Sequence, residues 1–126
     1  MKLWIIIGAL LLSLAIIFGA FGSHFLKTRF SENDIEIFEI GVRYHTYQAL
    51  GLLILGVIGF NINNDLIVLP AMIITTGLII FSGSLYLLVL LNIRWLGAVT
   101  PIGGMFLIFG WALLAFHLQR VDPDDS

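Results

Sequence analysis

The chain has 126 residues, 60% of them hydrophobic and only 11% charged, with a mean hydropathy of +1.06. A soluble domain is about a quarter charged and under half apolar, so the excess here has to face lipid rather than a core. The net charge of -2 and a pI near 5.8 offer no basic footprint and exclude nucleic acid as a partner. Cysteine is absent and the three histidines, His24, His45 and His117, are scattered. Neither a disulfide framework nor a metal site is therefore expected, and no cofactor is called for.

The first apolar run behind Lys2 covers about twenty residues, longer than the core of a secretory signal, and three more runs follow. It is read as a retained first span over residues 3–24. A polar stretch from Lys27 to Arg43 comes next. In it Ser31 precedes Asp34 with capping-box spacing. Ile35, Phe38 and Val42 fall on one helical face, and Glu32, Glu36, Glu39 and Arg43 on another. This predicts a short amphipathic helix at the interface, with Glu39 and Arg43 as a favourable i,i+4 pair. The second span is expected over 44–60, closed by the turn-forming residues Asn61, Asn63, Asn64 and Asp65. The third covers 66–91, with Pro70 near its start where a missing backbone donor costs little. The fourth covers 96–118, and an acidic tail, 121–126, ends the chain.

The connections after spans one and three share a side, which carries Lys27, Arg29, Arg43 and Arg94, while the other side has Lys2 and Arg120. The positive-inside rule then puts both odd loops in the cytoplasm and both termini outside. The same parity gathers the unusual residues into one half of the membrane. The candidate polar cluster is His24, Tyr44, His45, Gln48, Ser82, Ser84, Tyr86 and Thr100. The residues expected to pack or kink helices are Ala15, Gly19, Gly22, Gly83, Pro101, Gly103 and Gly104.

Hydroxyls, amides and imidazoles in a bilayer need partners, and small residues bring backbones close enough to supply them. His45 and Gln48, three apart, share a helical face and are read as able to point together into the bundle. Pro101 with Gly103 and Gly104 is read as able to bend the first turns of span four. A small polar pocket opening toward the cytoplasm is the sharper reading. The plainer one treats the glycines and serines as packing devices and the histidines as interface anchors. His117, alone near the opposite face with Gln119 and Arg120, is read as an interface residue.

Absences weigh against catalysis. No Asp, Glu, Lys or Arg sits deep in a span, as a proton relay would need. Ser23 and His24 are adjacent and cannot face each other on a helix, and no phosphate loop, HExxH or dinucleotide fingerprint is present. An enzyme is not expected.

Four segments in order carry a resemblance: GAFGSH at 19–24, YHTYQAL at 44–50, FSGSLY at 81–86, and TPIGG at 100–104 with the later GW at 110–111. The chain resembles the small bacterial membrane proteins of domain of unknown function 423, a YgdD-like family similar to eukaryotic transmembrane protein 256. The resemblance implies a four-span protein of the bacterial plasma (inner) membrane with no established activity. In one place the chain departs from the family's usual order. There the second segment runs Tyr-Gln-x-(Tyr or Phe)-His, whereas His45 and Gln48 stand in swapped positions here.

The expected fold is all-α, a four-helix transmembrane bundle with a short interfacial helix between spans one and two, in a single integral membrane domain. Three functions stay open: a non-enzymatic scaffold or accessory subunit binding membrane lipid or a membrane partner; an oligomeric channel or carrier for a small solute; and haem or quinone binding at His24 and His45. A homo-oligomer or a larger membrane complex is the expected setting.

Overall fold

The computed structural model describes residues 2–120, apart from the side chain of Ser23, and the acidic tail lies outside the described residues. Helix α1 (Lys2–Ile17) passes without a break into a π-helical turn, Phe18–Gly22, and then into α2 (Ser23–Lys27). The longest helices are α3 (Glu32–Ile58) and α4 (Asp65–Leu90), and α5 (Thr100–Gln119) follows a 3-10 turn at Arg94–Ala98. No strand occurs among the described residues.

Local chemistry accounts for the boundaries. Ser31 is extended (φ -68°, ψ 159°) and its hydroxyl accepts from the Asp34 amide at 3.1 Å, satisfying one of the free donors of α3. The Asn63 side chain accepts from the Asp65 amide at 3.0 Å, an Asx turn that launches α4. Beyond α4, Asn92 takes φ 55°, a left-handed conformation that Asn tolerates better than most residues.

Two expectations are corrected here. The amphipathic stretch ahead of span two does not form an element of its own, because residues 32–43 are the first turns of α3 and no bend separates them from the apolar part. The periodicity of Ile35, Phe38 and Val42 was that of a helix start packed on neighbours: Phe38 is 1% exposed. Glu39 and Arg43 form no ion pair. The ion pair found among the described residues joins Asp34 to Arg94, which draws the start of α3 onto the turn before α5.

Among the described residues three stretches are long and apolar enough to cross a membrane: Lys2–Lys27, Asp65–Leu90 and Arg94–Gln119, with mean hydropathies of 2.6, 2.2 and 1.9. Helix α3, with its charged start, is not among them, yet it lies between α1 and α4 and packs on both. The chain runs up and down. Trp4 at the start of α1 clusters with Leu52 and Leu55 late in α3, Ile67 and Ala71 early in α4, and Leu114 late in α5. The opposite end holds a second core of Leu26, Phe38, Tyr86, Leu88, Val89 and Leu96.

Between apolar helices in lipid, close packing replaces the hydrophobic effect as the main attraction, and small residues make it possible. A Cβ on Gly8 would come within 3.0 Å of the Ala49 carbonyl oxygen, and one on Gly77 within 3.0 Å of the Gly103 carbonyl. The α4–α5 pair is the tightest of these seams, with Gly103 set directly against the Phe81 backbone and Gly110 against Ile74. Helix α1 is held to α3, and α5 to α4, while α1 and α4 scarcely touch.

Candidate functional site

That missing contact leaves a cleft. Its walls are Leu11 and Leu14 of α1, Phe18 of the π-turn and Leu78, Ile79 and Gly83 of α4, and its floor is His45 of α3 with Ser82 and Tyr86 beside it. The volume is about 180 Å³. His45 is 4% exposed, and its Nδ1 lies 2.8 Å from the Tyr86 hydroxyl. Its Nε2 is buried with no hydrogen-bond partner. The rings of Phe18 and Tyr86 lie 4.7 Å apart, so the imidazole sits in a largely aromatic and aliphatic setting.

Two serines of this half, Ser82 and Ser84, are engaged. Ser82 donates to the Gly41 carbonyl at 2.8 Å, tying α4 to α3. This close approach needs a glycine, because a Cβ on Gly41 would meet the Tyr86 ring at 2.9 Å. Ser84 bonds the Thr100 hydroxyl at 2.5 Å and lies 2.8 Å from the Phe81 carbonyl, stitching α4 to the first turn of α5. Neither hydroxyl is poised as a nucleophile, since each is spent on a neighbouring backbone or side chain.

Gln48 goes elsewhere. Its carbonyl accepts from the Trp111 indole N–H at 2.7 Å, in a second groove lined by Tyr44, Gln48, Phe81, Gly104, Leu107 and Trp111. His45 and Gln48, expected to act together, therefore serve separate grooves, one between α1 and α4 and the other between α3 and α5. Tyr44 is exposed and packs on Phe81, with ring centroids 4.8 Å apart. His24 is exposed on α2 and makes no hydrogen bond to the cluster, so the structure does not bring it together with His45.

The small residues sort by neighbour. Ala15 is 1% exposed, and Gly19 and Gly22 face Val42 and Phe38 of α3. A Cβ on Gly83 would meet nothing within 4 Å, which marks open space beside the cleft. Pro101 stands in the first turn of α5, which continues as one helix to Gln119; Gly103 provides close approach to the Phe81 backbone of α4, and Gly104 lies in ordinary contact with the Phe81 ring. Among the described residues no group of three or more His, Asp or Glu is placed to hold a metal ion.

Sequence reasoning missed three partners: Trp111, Arg94 and Leu66. The bidentate pair from Arg94 to Asp34, at 2.7 and 2.8 Å, joins residues sixty apart in sequence. His117, read as an interface residue, places Nδ1 2.9 Å from the Leu66 carbonyl. Pro70, buried in α4, was the available clue, since a proline strips the carbonyl four residues earlier of its donor.

Comparison with known proteins bears on the same segments. A family described as protein of unknown function (DUF423) matches residues 18–104, a range that holds the π-turn, the His45–Tyr86 pair and the Ser84–Thr100 bond. The chain belongs to this family. It is 43% identical to a UPF0382 membrane protein of Staphylococcus haemolyticus over 90% of this chain and 93% of that protein. To the UPF0382 membrane protein YwdK of Bacillus subtilis it is 36% identical over 90% of this chain and 94% of the relative. No solved structure matches the chain. The family is of unknown function, so any activity must be argued from the grooves themselves.

Proposed function

We propose that this protein is a non-catalytic accessory subunit of the bacterial plasma membrane that holds a bilayer-soluble molecule in the cleft between α1 and α4. The observation that carries this reading is the cleft's make-up: aliphatic and aromatic walls open to the lipid side, with one buried imidazole at the floor. Ligand sites are mostly apolar with a few placed polar groups, and this cleft fits that description on a small scale. Engaged hydroxyls at Ser82 and Ser84 favour binding over chemistry. A channel finds less support, because His45 and Gln48 line separate grooves and form no shared polar path.

In this reading the chain is multi-pass, in a homo-oligomer or a larger complex, with the basic turn around Arg94 and the α2–α3 connection in the cytoplasm and the termini outside. Native mass spectrometry from gentle detergent tests it. A reproducible bound molecule of lipid or quinone mass is the expected result, and protein that emerges bare overturns it.

A further inference from the structure

We propose that the cleft selects a molecule bearing a carbonyl oxygen, which accepts a hydrogen bond from the Nε2–H of His45; this rests on the binding function proposed above and names its chemistry. The Tyr86 hydroxyl and His45 Nδ1 share one bond at 2.8 Å, so one donates and the other accepts. If the imidazole donated, the phenol proton would be left without an acceptor and Nε2 would be an empty lone pair, two orphans in an apolar site. If the phenol donates, Nδ1 is the acceptor, the ring's proton sits on Nε2, and a single orphan remains. Leaving a buried polar group unpaired costs about 1–3 kcal/mol, so the second arrangement is favoured.

The orphan is therefore a donor. The Leu11 carbonyl comes near the ring without reaching hydrogen-bond geometry. No other acceptor is given to Nε2 by the described residues. The cleft beside it is walled by carbon, so the missing partner must bring its own oxygen on an otherwise apolar body. An uncharged carbonyl meets that need at no cost of burying a charge. Nε2 itself is covered, and the oxygen reaches it as the half-exposed side chains of Leu11 and Leu14 rotate aside, a motion open to exposed rotamers on the ps–ns scale. Gly83 leaves space for the body of the ligand next to the imidazole. Two bilayer sources offer this chemistry: the ester carbonyl of a phospholipid and the ring carbonyl of an isoprenoid quinone.

The test uses full-length protein in nanodiscs of ester-linked phosphatidylglycerol, of ether-linked phosphatidylglycerol, which lacks the carbonyls, and of the ether lipid with a short-chain menaquinone added. Bound molecules are read by native mass spectrometry after release. Retention in the ester discs but not the ether discs supports the proposal with lipid as the source, and retention only when the quinone is added supports it with quinone as the source. In either case His45→Leu and Gly83→Leu should weaken retention by roughly tenfold, the scale of one lost hydrogen bond or a filled cleft, and His45→Gln, which can place an amide N–H near the same point, should restore it. Gly83→Leu projects into open space, so it tests the cleft even if His45→Leu fails to fold. Ring-nitrogen resonances of isotope-labelled histidine should show the Nε2-protonated form in the wild type. Equal retention in ester and ether discs, or by His45→Leu and wild type, overturns the donor assignment while the binding function stands. A wild type that retains nothing in any disc overturns both.

Discussion

The His117 imidazole on α5 supplies the hydrogen bond that Pro70 denies to the Leu66 carbonyl on α4. Pro70 lies inside α4 and has no N–H, so the carbonyl four residues before it loses its helical donor, and His117 Nδ1 approaches that oxygen at 2.9 Å. Because a carbonyl only accepts, Nδ1 carries the proton. In a bilayer an unpaired carbonyl has no water to turn to, so this bond ties the ends of α4 and α5 together where the backbone ladder fails. His117→Phe should destabilise the protein by about 1 kcal/mol in mixed-micelle unfolding. Pro70→Ala restores a backbone donor to Leu66, so His117→Phe should cost less in that background. Strict additivity of the two substitutions would disprove the pairing.

Asp34 and Arg94 form the other long-range tie, at the polar start of α3. The Arg94 guanidinium, hydrogen-bonded to both carboxylate oxygens, holds the Asp34 carboxyl below the usual carboxylate range, against the opposing effect of its burial. A carboxyl whose folded pKa is depressed contributes stability that is fully present above the unfolded pKa and is lost as pH falls through the folded one. The wild type should therefore keep its midpoint from pH 7 down to about 4 and lose stability below that. Asp34→Asn should start lower and show a flatter acid limb. The side chain of Arg94 is 52% exposed, so the effect should be modest and should shrink in high salt. Parallel acid limbs for the two proteins would remove the pair from the account.

Much of the helix pattern was readable from residue type. Uninterrupted apolar runs bounded by Asn61–Asp65 and Asn92 predicted 66–91, and the helix found is Asp65–Leu90. Ser31 with Asp34 predicted the start of α3, although Asp34 spends its carboxylate on Arg94 instead of completing a capping box. Parity put Tyr86 with His45 and Thr100 with Ser84 in one half of the bundle, and both pairs meet. Rotation about each helix axis was not readable. A three-residue spacing allows His45 and Gln48 to enter one groove or two, and only packing against Tyr86 and Trp111 decides it. Nor does a charged helical face say whether it stands as a separate helix or extends the next one. Phe38, buried against Phe18 and Tyr86, decided for the extension.

Glycines in this chain should divide sharply on substitution by alanine. Gly103 sits against the backbone of Phe81 and Gly77, atoms that have no rotamer to escape into, so Gly103→Ala should force α4 and α5 apart at a cost of about 1–3 kcal/mol. Gly83, on α4, faces open space beside the α1–α4 cleft, so Gly83→Ala should be neutral or stabilise by up to about 1 kcal/mol through helix propensity alone. Both are measured by the same mixed-micelle unfolding. Equal costs at the two positions would mean that the close α4–α5 seam is not what holds these helices.

The second groove yields an optical prediction. The Trp111 indole donates to Gln48 at 2.7 Å, and its ring covers Gly51 so closely that a Cβ there would lie 2.5 Å from the ring. Trp111 is half-buried and is the only indole of three bonded to an amide carbonyl among the described residues. With Trp4 and Trp95 replaced by Phe, Gln48→Leu should shift Trp111 emission to the blue, because a polar acceptor is exchanged for hydrocarbon, and should lower stability by about 1 kcal/mol through the unpaired indole N–H. Gly51→Ala should move the ring without removing its acceptor, changing emission intensity more than wavelength. If the two variants gave the same spectrum, the hydrogen bond would not govern the indole's environment, and packing over Gly51 alone would set the width of the α3–α5 groove.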